Sequence, residues 1–259
     1  MARSAVLFPH TMSIQSDPLR PHPLLEDYYG SEKERRRRVV AWFDESAPDY
    51  DWVNHAVSFG SGSWYRREAL LRAGLAAGMS ALDVACGTGV LAAHAQEITG
   101  PQGLVIGLDP SAGMLRQAGG RGVSRRVLGV AEALPFPDER FDVLSMGYAL
   151  RHVADLRTTF SEYRRVLKPG GRLLVLEITP PESRLRFHLL KLYMHSLVPL
   201  IARFGHGGRT SQVLMRYYWD TIEKCVPPAV ILGALEEAGF RNVERRVEMG
   251  ILSDYTAVR

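Results

Sequence analysis

The feature that most constrains this chain is an alternation of short apolar runs with helical patterns, which begins near residue 81. The first five apolar runs are residues 81–85, 104–108, 126–130, 141–146 and 172–178, and two more follow at 243–249 and 251–258. Strands that alternate with helices in this way form a mostly parallel sheet with helices on both faces. We therefore predict an α/β fold with a seven-stranded sheet.

Composition divides the rest of the chain into segments. Residues 1–24 carry four prolines among polar residues, which predicts a disordered tail. Residues 25–78 contain two helical patterns and are expected to form an N-terminal cap on the α/β domain of residues 79–259. Within that domain, residues 182–226 are mostly apolar and helical, with Pro199 expected to kink or end the helix. We expect this insert to be a helical lid.

Local signals predict where some elements begin and end. Ser31 and Glu34 have capping-box spacing, so a helix should start there and end at Pro48. The residues Lys168-Pro169-Gly170-Gly171 are typical of a helix stop and turn, and should precede the strand at 172–178.

Charge and cysteine usage exclude several classes of protein. The net charge is +4, and the arginine clusters have glutamates nearby on predicted helices, so we expect no nucleic acid partner. Cys86 and Cys225 are far apart, which predicts neither a disulfide framework nor a metal site. Neither a secretory signal nor an apolar run of roughly 18 residues is visible. We expect a cytoplasmic protein, with peripheral membrane contact left open.

The most informative motif is a glycine turn at the end of the first strand. Asp83 lies near the end of that strand, and Ala85-Cys86-Gly87-Thr88-Gly89 leads into a helix. Such a turn allows close approach to the backbone, and ligands of open α/β sheets bind at this edge. The next strand ends at Asp109, twenty positions after Gly89, where a carboxylate can accept both hydroxyls of a ribose. Helix capping before Ser111 would explain Asp109 equally well.

The identity of the nucleoside cofactor depends on Asp83. Residues 87–92 fit the GxGxxA form of the dinucleotide motif, so the turn alone also allows NAD. An acidic side chain just before the turn would crowd a pyrophosphate, whereas it suits the cationic amino-acid end of S-adenosylmethionine. We therefore predict S-adenosylmethionine as the cofactor.

Motifs along most of the chain match one family pattern. They are residues 22–30, 43–44, 50–51, Asn54, 58–60, 82–89, 107–111, 114–115, 131–138, 150–151, Val153, Asp155, 165–171 and 176–177. From about Pro23 to its C-terminus, the chain resembles the ubiquinone/menaquinone C-methyltransferase family of the class I methyltransferases. The resemblance implies a Rossmann-like fold and methyl transfer from S-adenosylmethionine to an aromatic, quinone-like acceptor, with carbon as the favoured position.

The resemblance also implies site residues. Thr88 and Asp109 would contact the cofactor, the backbone around Ala131 would recognise adenine, and Arg151 with its neighbour His152 would serve the acceptor. The candidate cofactor-binding residues are Asp83, Ala85, Gly87, Thr88, Gly89, Asp109, Met114, Val130, Ala131, Glu132 and Gly147.

Three residues depart from the family pattern. Val130 replaces an Asp or Asn that would bond the adenine amino group, so weaker cofactor binding is expected. Gly147 stands at a frequent Ser position, and His152 replaces an Asn. An imidazole can take the proton of a phenol or hydroquinone, although a structural histidine is the alternative. Arg151 would steady the phenolate oxygen or form a surface ion pair with Asp155.

The acceptor is predicted less sharply than the cofactor. The apolar insert carries Arg184, Arg186 and Lys191, which suits a prenylated quinol at a membrane surface, but core packing or a homodimer contact fits the same pattern. Residues 217–219 would line an aromatic pocket or belong to the core. Two other functions stay open: O- or N-methylation in specialised metabolism, and a non-methylating subunit that binds the cofactor or a quinone.

Overall fold

A seven-stranded sheet runs through the computed structural model, which describes residues 17–58, 61–203 and 208–259. The strands are β1 (Ser80–Val84), β2 (Leu104–Asp109), β3 (Arg126–Leu128), β4 (Phe141–Gly147), β5 (Leu167–Ile178), β6 (Arg241–Glu248) and β7 (Leu252–Val258). Their order is β3-β2-β1-β4-β5-β7-β6, and only β7 runs antiparallel to its neighbours. The predicted mostly parallel, seven-stranded sheet is confirmed.

Helices cover both faces of the sheet and build a separate layer. The helices are α1 (Glu32–Ser58), α2 (Ser61–Arg72), α3 (Val90–Thr99), α4 (Ala112–Gly120), α5 (Leu156–Val166), α6 (Arg184–Leu192), α7 (Val198–Ala202), α8 (Gly208–Glu223) and α9 (Pro228–Glu237), with a π turn (Tyr193–Leu197) joining α6 to α7. Within the described ranges, no helix is long and apolar enough to cross a membrane.

Burial explains why the central strands read as continuous apolar runs. Every residue of β1 is buried, because helices pack on both sides of it. One apolar cluster lies on each face of the sheet, and a third joins α1, α8 and the π turn to residues 24–29. The strand order reverses between β1 and β4, which opens a crevice at their carboxyl ends.

The predicted helix end at Pro48 is wrong, because α1 continues to Ser58. Two contacts hold the helix on either side of this proline. Asp44 Oδ1 accepts hydrogen bonds from Gly113 N and Ser111 Oγ, both at 2.6 Å, which fixes α1 against the start of α4. Asp51, one turn beyond the proline, is bound to the glycine turn. Tertiary contacts thus compensate for the hydrogen bond that Pro48 lacks.

The predicted turn at residues 168–171 is instead part of β5, where the chain bulges. The pairing of β4 with β5 shifts register between Phe141 and Val143. Gly170 has φ of 76°, and its N–H donates to the carbonyl of Arg259 at 3.2 Å. The hydrogen bond to Arg259 therefore holds this bulge in place.

Part of the expected disordered tail is ordered. Residues 1–16 lie outside the described ranges, but Leu19 N donates to Asp155 Oδ1 at 2.8 Å and Val226 N donates to the Pro21 carbonyl at 2.8 Å. These bonds hold residues 17–24 against the domain despite their prolines, which need no backbone donor. Pro199 follows the π turn and lies in the first turn of α7, so the insert is irregular before the proline rather than broken at it.

Candidate active site

A cavity of about 1500 Å³ lies at the carboxyl ends of β1, β2 and β4. Residues of α1 and α2 cover it, and Tyr218 of α8 closes one side. This volume exceeds the roughly 300–1,000 Å³ of a typical small-molecule pocket. The cavity therefore has room for two ligands at once.

The glycine turn after β1 forms part of the cavity wall. Ala85 and Gly87 have positive φ angles of 52° and 56°, and nothing lies within 4 Å of the place where a Cβ on Gly87 would stand. A ligand can therefore approach Gly87 closely. Gly89 serves packing instead, since a Cβ there would lie 2.9 Å from Val123 and 3.0 Å from Ala118, and Gly89 does not line the cavity.

Asp109 connects the end of β2 to the glycine turn. Its Oδ2 accepts a hydrogen bond from Gly87 N and its Oδ1 accepts one from Ser111 N, each at 2.8 Å. The side chain is buried at the cavity wall. Burial raises the pKa of Asp109 to about 6, although the two backbone N–H groups oppose this rise. Ser111 itself caps α4, through a hydrogen bond from Met114 N to its hydroxyl, and Asp109 supports this cap while it also lines the cavity.

Asp83 is the most deeply buried carboxyl of the cavity wall, with 1% of its surface exposed. Its Oδ1 accepts a hydrogen bond of 2.8 Å from Ser145 Oγ, whereas its Oδ2 has no partner among the described residues. Burial raises the pKa of Asp83 to about 7. A cationic ligand group would satisfy the free oxygen and favour the ionised form.

A contact between α1 and the glycine turn was not expected from the motifs. Thr88 Oγ1 donates to Asp51 Oδ1 at 2.5 Å, Arg121 forms an ion pair with the same carboxylate, and Arg121 Nε donates to the Thr88 carbonyl at 3.0 Å. The predicted cofactor residue Thr88 is therefore already bound to the helix that covers the cavity.

The other predicted cofactor residues also line the cavity. These residues are Met114, Val130, Ala131, Glu132 and Gly147. Val130 forms an isolated bridge with Ala133, so β3 ends at Leu128 rather than at Val130 as predicted. Glu132 Oε1 accepts a hydrogen bond from Ala154 N at 2.5 Å.

A Cβ on Gly147 would be 3.5 Å from Leu91 Cδ2, so packing leaves room there for the family's Ser.

His152 lines the cavity within an aromatic group of side chains. Its ring stacks on Tyr217 at 5.5 Å and meets Phe43 edge-on at 5.5 Å. Its Nδ1 lies 3.4 Å from the Tyr217 hydroxyl, and its Nε2 is buried without a partner among the described residues. Burial lowers the pKa of His152 well below 6.5, and the charge of Arg151 lowers it further. The imidazole is therefore neutral at neutral pH, so one of its ring nitrogens carries a free lone pair.

Arg151 lies behind the cavity wall rather than in it. The side chain is fully buried and forms an ion pair with Glu177, and its guanidinium carbon lies 4.3 Å from the centre of the Tyr218 ring. The predicted alternative of a surface ion pair with Asp155 is wrong, since Asp155 instead caps α5. Arg151 therefore contacts the cavity-lining Tyr218 without lining the cavity itself.

Arg66 is a cavity residue that none of the sequence motifs includes. Its neighbour Arg67 has the expected glutamate partner, Glu68 at 3.5 Å. Arg66 has no carboxylate partner among the described residues, and its guanidinium carbon lies 4.7 Å from the centre of the cavity-lining Tyr148 ring. Nothing in the sequence indicated that Arg66 would open into the cavity without a carboxylate partner, apart from its position on a predicted helix.

The described part of the site contains carboxylates and cations but no recognisable metal centre. Among the residues that the structure describes, no group of three or more His, Cys, Asp or Glu could hold a metal ion. The arrangement instead offers buried carboxylates at one end of the cavity and an aromatic wall with a neutral histidine at the other.

Comparisons with known proteins agree with this geometry. The model of the ubiE/COQ5 methyltransferase family matches residues 31–259. The chain is 37% identical over 230 residues to a demethylmenaquinone methyltransferase of Symbiobacterium thermophilum, an alignment that covers 85% of this chain and 91% of that protein. It is 34% identical over 232 residues to the ubiquinone/menaquinone biosynthesis C-methyltransferase UbiE of Geobacter sulfurreducens, with 86% and 89% covered.

A solved structure shares the fold. It is a S-adenosylmethionine-dependent methyltransferase of Thermotoga maritima, described as a possible histamine N-methyltransferase, with a TM-score of 0.60 and 20% sequence identity. The alignment covers 85% of this chain and 99% of that chain. The predicted Rossmann-like class I fold is thereby confirmed.

Proposed function

The chain belongs to the ubiE/COQ5 methyltransferase family, and we propose that it methylates a ring carbon of a quinone-type aromatic acceptor in quinone biosynthesis. Use of S-adenosylmethionine as the methyl donor follows from the family. The names of the two curated relatives support the quinone-type acceptor. The observation that carries the proposal is that Asp83, Asp109 and His152 open into one cavity large enough for both donor and acceptor.

The residues of the glycine turn and β2 fit S-adenosylmethionine. When bound, the cofactor supplies an electrophilic methyl group on a sulfonium. The free Oδ2 of Asp83 would accept the ammonium group, Asp109 the ribose hydroxyls, and the open space at Gly87 would allow close approach. Ala131 would present its backbone to adenine. We assign the cofactor's carboxylate to Arg66, a cavity cation that lacks a described carboxylate partner and lies beside the cavity-lining Tyr148 ring.

His152 would be the catalytic base for the acceptor. Its unpartnered Nε2 and lowered pKa leave a neutral imidazole in the aromatic wall of the cavity. Taking the proton of a phenol or hydroquinone raises electron density on the ring carbon that would accept the methyl group. The electron pair of the methyl–sulfur bond would stay on the donor's sulfur, and the methylated ring carbon would then lose its own hydrogen as a proton, which restores the aromatic ring. Alignment of acceptor and donor in one cavity supplies much of the remaining acceleration. Arg151 would be a positioning residue, because it contacts Tyr218 and Glu177 instead of the cavity.

The outer segments would close the site. We propose that residues 25–78 act as a cap over the cofactor, since α1 and α2 line the cavity, and that residues 182–226 act as a lid. An aromatic or prenylated quinol would reach the cavity from a membrane surface while the protein stays in the cytoplasm. Homodimerisation remains a prediction.

Methyl-labelled S-adenosylmethionine should be incubated with a panel of prenylated hydroquinones, simple phenols and amines, and the products fragmented by mass spectrometry. Label on a ring carbon of a hydroquinone is the expected result. Label found only on oxygen or nitrogen would support the specialised-metabolism alternative, which the departures at Val130, Gly147 and His152 keep open. Cofactor binding without any product would support a non-methylating subunit. D109A should give no product, whereas D138A at an exposed ion pair with Arg165 should be active.

A further inference from the structure

Five leucines with exposed side chains lie along the helical insert. Leu185, Leu189 and Leu192 of α6, Leu197 of the π turn and Leu200 of α7 are between 47% and 69% exposed, and we call them the leucine face. The opposite side of α6 packs through Phe187, whose ring centre lies 6.0 Å from that of Trp219. The leucine face is therefore a surface and not an unfinished part of the core.

The π turn keeps these leucines on one side of the insert. Leu185, Leu189 and Leu192 have i, i+4, i+7 spacing, which puts them on one face of α6. Leu197 follows after a five-residue step, which would carry it off that face in a regular α-helix. A turn with i→i+5 hydrogen bonds is wider, so this step returns the chain to the same face. Leu200, three residues on, continues it.

Three arginines without a described ion-pair partner flank the leucine face, whereas Lys191 of α6 pairs with Glu223. The sequence from Ser183 to Arg203 contains no Asp or Glu. Arg184, Arg186 and Arg203 are exposed and have no ion-pair partner among the described residues. Met249, in the β6–β7 turn, is 76% exposed, and its neighbour Gly250 lies near Arg186. The surface thus combines exposed apolar side chains with uncompensated cations.

We propose that the leucine face docks on an anionic membrane surface. Apolar side chains flanked by arginines are typical of helices that lie in the membrane interface, where leucines enter the acyl boundary and cations meet lipid phosphates. A second copy of the chain fits less well, because a two-fold contact would place one positively charged patch against another. The docking surface rests on the proposed function, because it is where the protein would meet a prenylated acceptor. Vesicle binding can nevertheless be measured without any turnover.

Sedimentation with lipid vesicles tests the proposal. The full chain should bind vesicles that contain phosphatidylglycerol and bind phosphatidylcholine vesicles far less. L189Q/L192Q should weaken binding at least about ten-fold, since each leucine loses apolar burial. R184Q/R186Q should weaken it roughly thirty-fold on anionic vesicles, from about one kcal/mol per arginine, with little change on phosphatidylcholine.

Matched variants elsewhere serve as controls. L128Q on β3 removes an equally exposed leucine, and R116Q/R125Q removes two exposed arginines near that edge of the sheet. Both should bind vesicles like the unaltered chain. The proposal is overturned if the leucine-face variants bind as tightly as the controls, if the unaltered chain binds no vesicles, or if ultracentrifugation shows a dimer that only L189Q/L192Q dissociates. Methylation of a short water-soluble hydroquinone by the unaltered chain separates this outcome from failure of the proposed function.

Discussion

The hydroxyl of Thr88 in the glycine turn donates a 2.5 Å hydrogen bond to Asp51 Oδ1 of α1. The other oxygen of this carboxylate pairs with Arg121, which also binds the Thr88 carbonyl. Because Asp51 and Thr88 both line the cavity, the contact ties the cofactor end of the site to the helix that covers it. Release of a bound ligand past α1 should therefore depend on this contact.

Replacement of Asp51 by Ala should speed dissociation of S-adenosylmethionine about ten-fold. Hydrogen bonds to a charged group contribute about 1.5–3 kcal/mol, and partial exposure of Asp51 reduces that figure. Stopped-flow displacement by excess S-adenosylhomocysteine measures the rate. E45A, an exposed change on the same helix, should leave the rate unaltered. Equal dissociation from D51A and the unaltered chain would show that the contact does not restrain the helix.

Replacement of Asp83 by Asn should stabilise the cofactor-free protein at neutral pH while it weakens cofactor binding. Because the folded pKa of about 7 lies above the ordinary 3.8, the folded chain binds more protons than the unfolded chain between these values. The free energy of unfolding of the unaltered chain therefore falls by about 1.4 kcal/mol per pH unit in this range, relative to D83N. Above pH 7 the difference is constant.

Thermal unfolding of both proteins from pH 4 to pH 8 measures the effect. Asp142 provides a control, because its pKa is shifted in the opposite direction to that of Asp83. Burial raises its pKa, but hydrogen bonds from Lys168 and Ser80 outweigh burial and lower it. D142N should therefore lose stability at neutral pH, and the loss should vanish as pH falls through the lowered pKa. A stability difference for D83N that does not change with pH would show that Asp83 is ionised in the cofactor-free fold.

Replacement of His152 by Ala should lower kcat about 10²–10⁴-fold, the usual contribution of a general base, with little change in cofactor affinity. The lowered pKa of His152 keeps the imidazole neutral down to pH values below 6.5, so the acid limb of kcat/KM should lie there. Steady-state rates across pH and calorimetry with S-adenosylmethionine measure the two effects. H94A, at a histidine bonded to Ser63 and Glu97, is the matched control. Full activity of H152A would give the residue a structural role only.

Replacement of Arg151 by Met should destabilise the fold by about 3–5 kcal/mol, because it leaves the buried Glu177 without its cation. R151M/E177L should recover much of this loss, since neither charge is then buried. Urea unfolding of R151M, E177L and R151M/E177L measures the three changes in the free energy of unfolding that a double-mutant cycle needs. If the losses of stability in R151M and E177L add up to the loss in the double variant, the ion pair does not contribute to the stability of the fold.

Replacement of Arg66 by Met should weaken binding of S-adenosylmethionine about ten-fold, in the range of a hydrogen bond to a charged group. The affinity for decarboxylated S-adenosylmethionine should not change, because that compound lacks the carboxylate assigned to Arg66. Calorimetry with both compounds measures the difference. R67M, whose arginine pairs with Glu68, should bind both as before. An equal loss for both compounds would contradict the assignment.

Local sequence predicted much of this structure because its signals act over short distances. The apolar run at 81–85 matches β1 within one residue, since a buried parallel strand must be apolar throughout. Gly87 and Asp109 were placed at the site from strand ends alone, because parallel strands bring their carboxyl ends to one edge. Pro48 was misjudged because Asp44 and Asp51 hold α1 through residues distant in sequence.

In the sequence by itself, the alternation of apolar runs with helical patterns determined the fold class, and the glycine turn with Asp83 and Asp109 indicated a nucleoside cofactor, since periodicity, backbone freedom and charge at a strand end are local properties. Only tertiary structure decided the rest. It put Arg151 against Glu177, opened Arg66 into the cavity, left His152 neutral among aromatic rings, and brought the five leucines into one exposed face through a π turn. Burial, desolvation and ion pairing depend on which distant residues meet, and no spacing within the sequence carries that information.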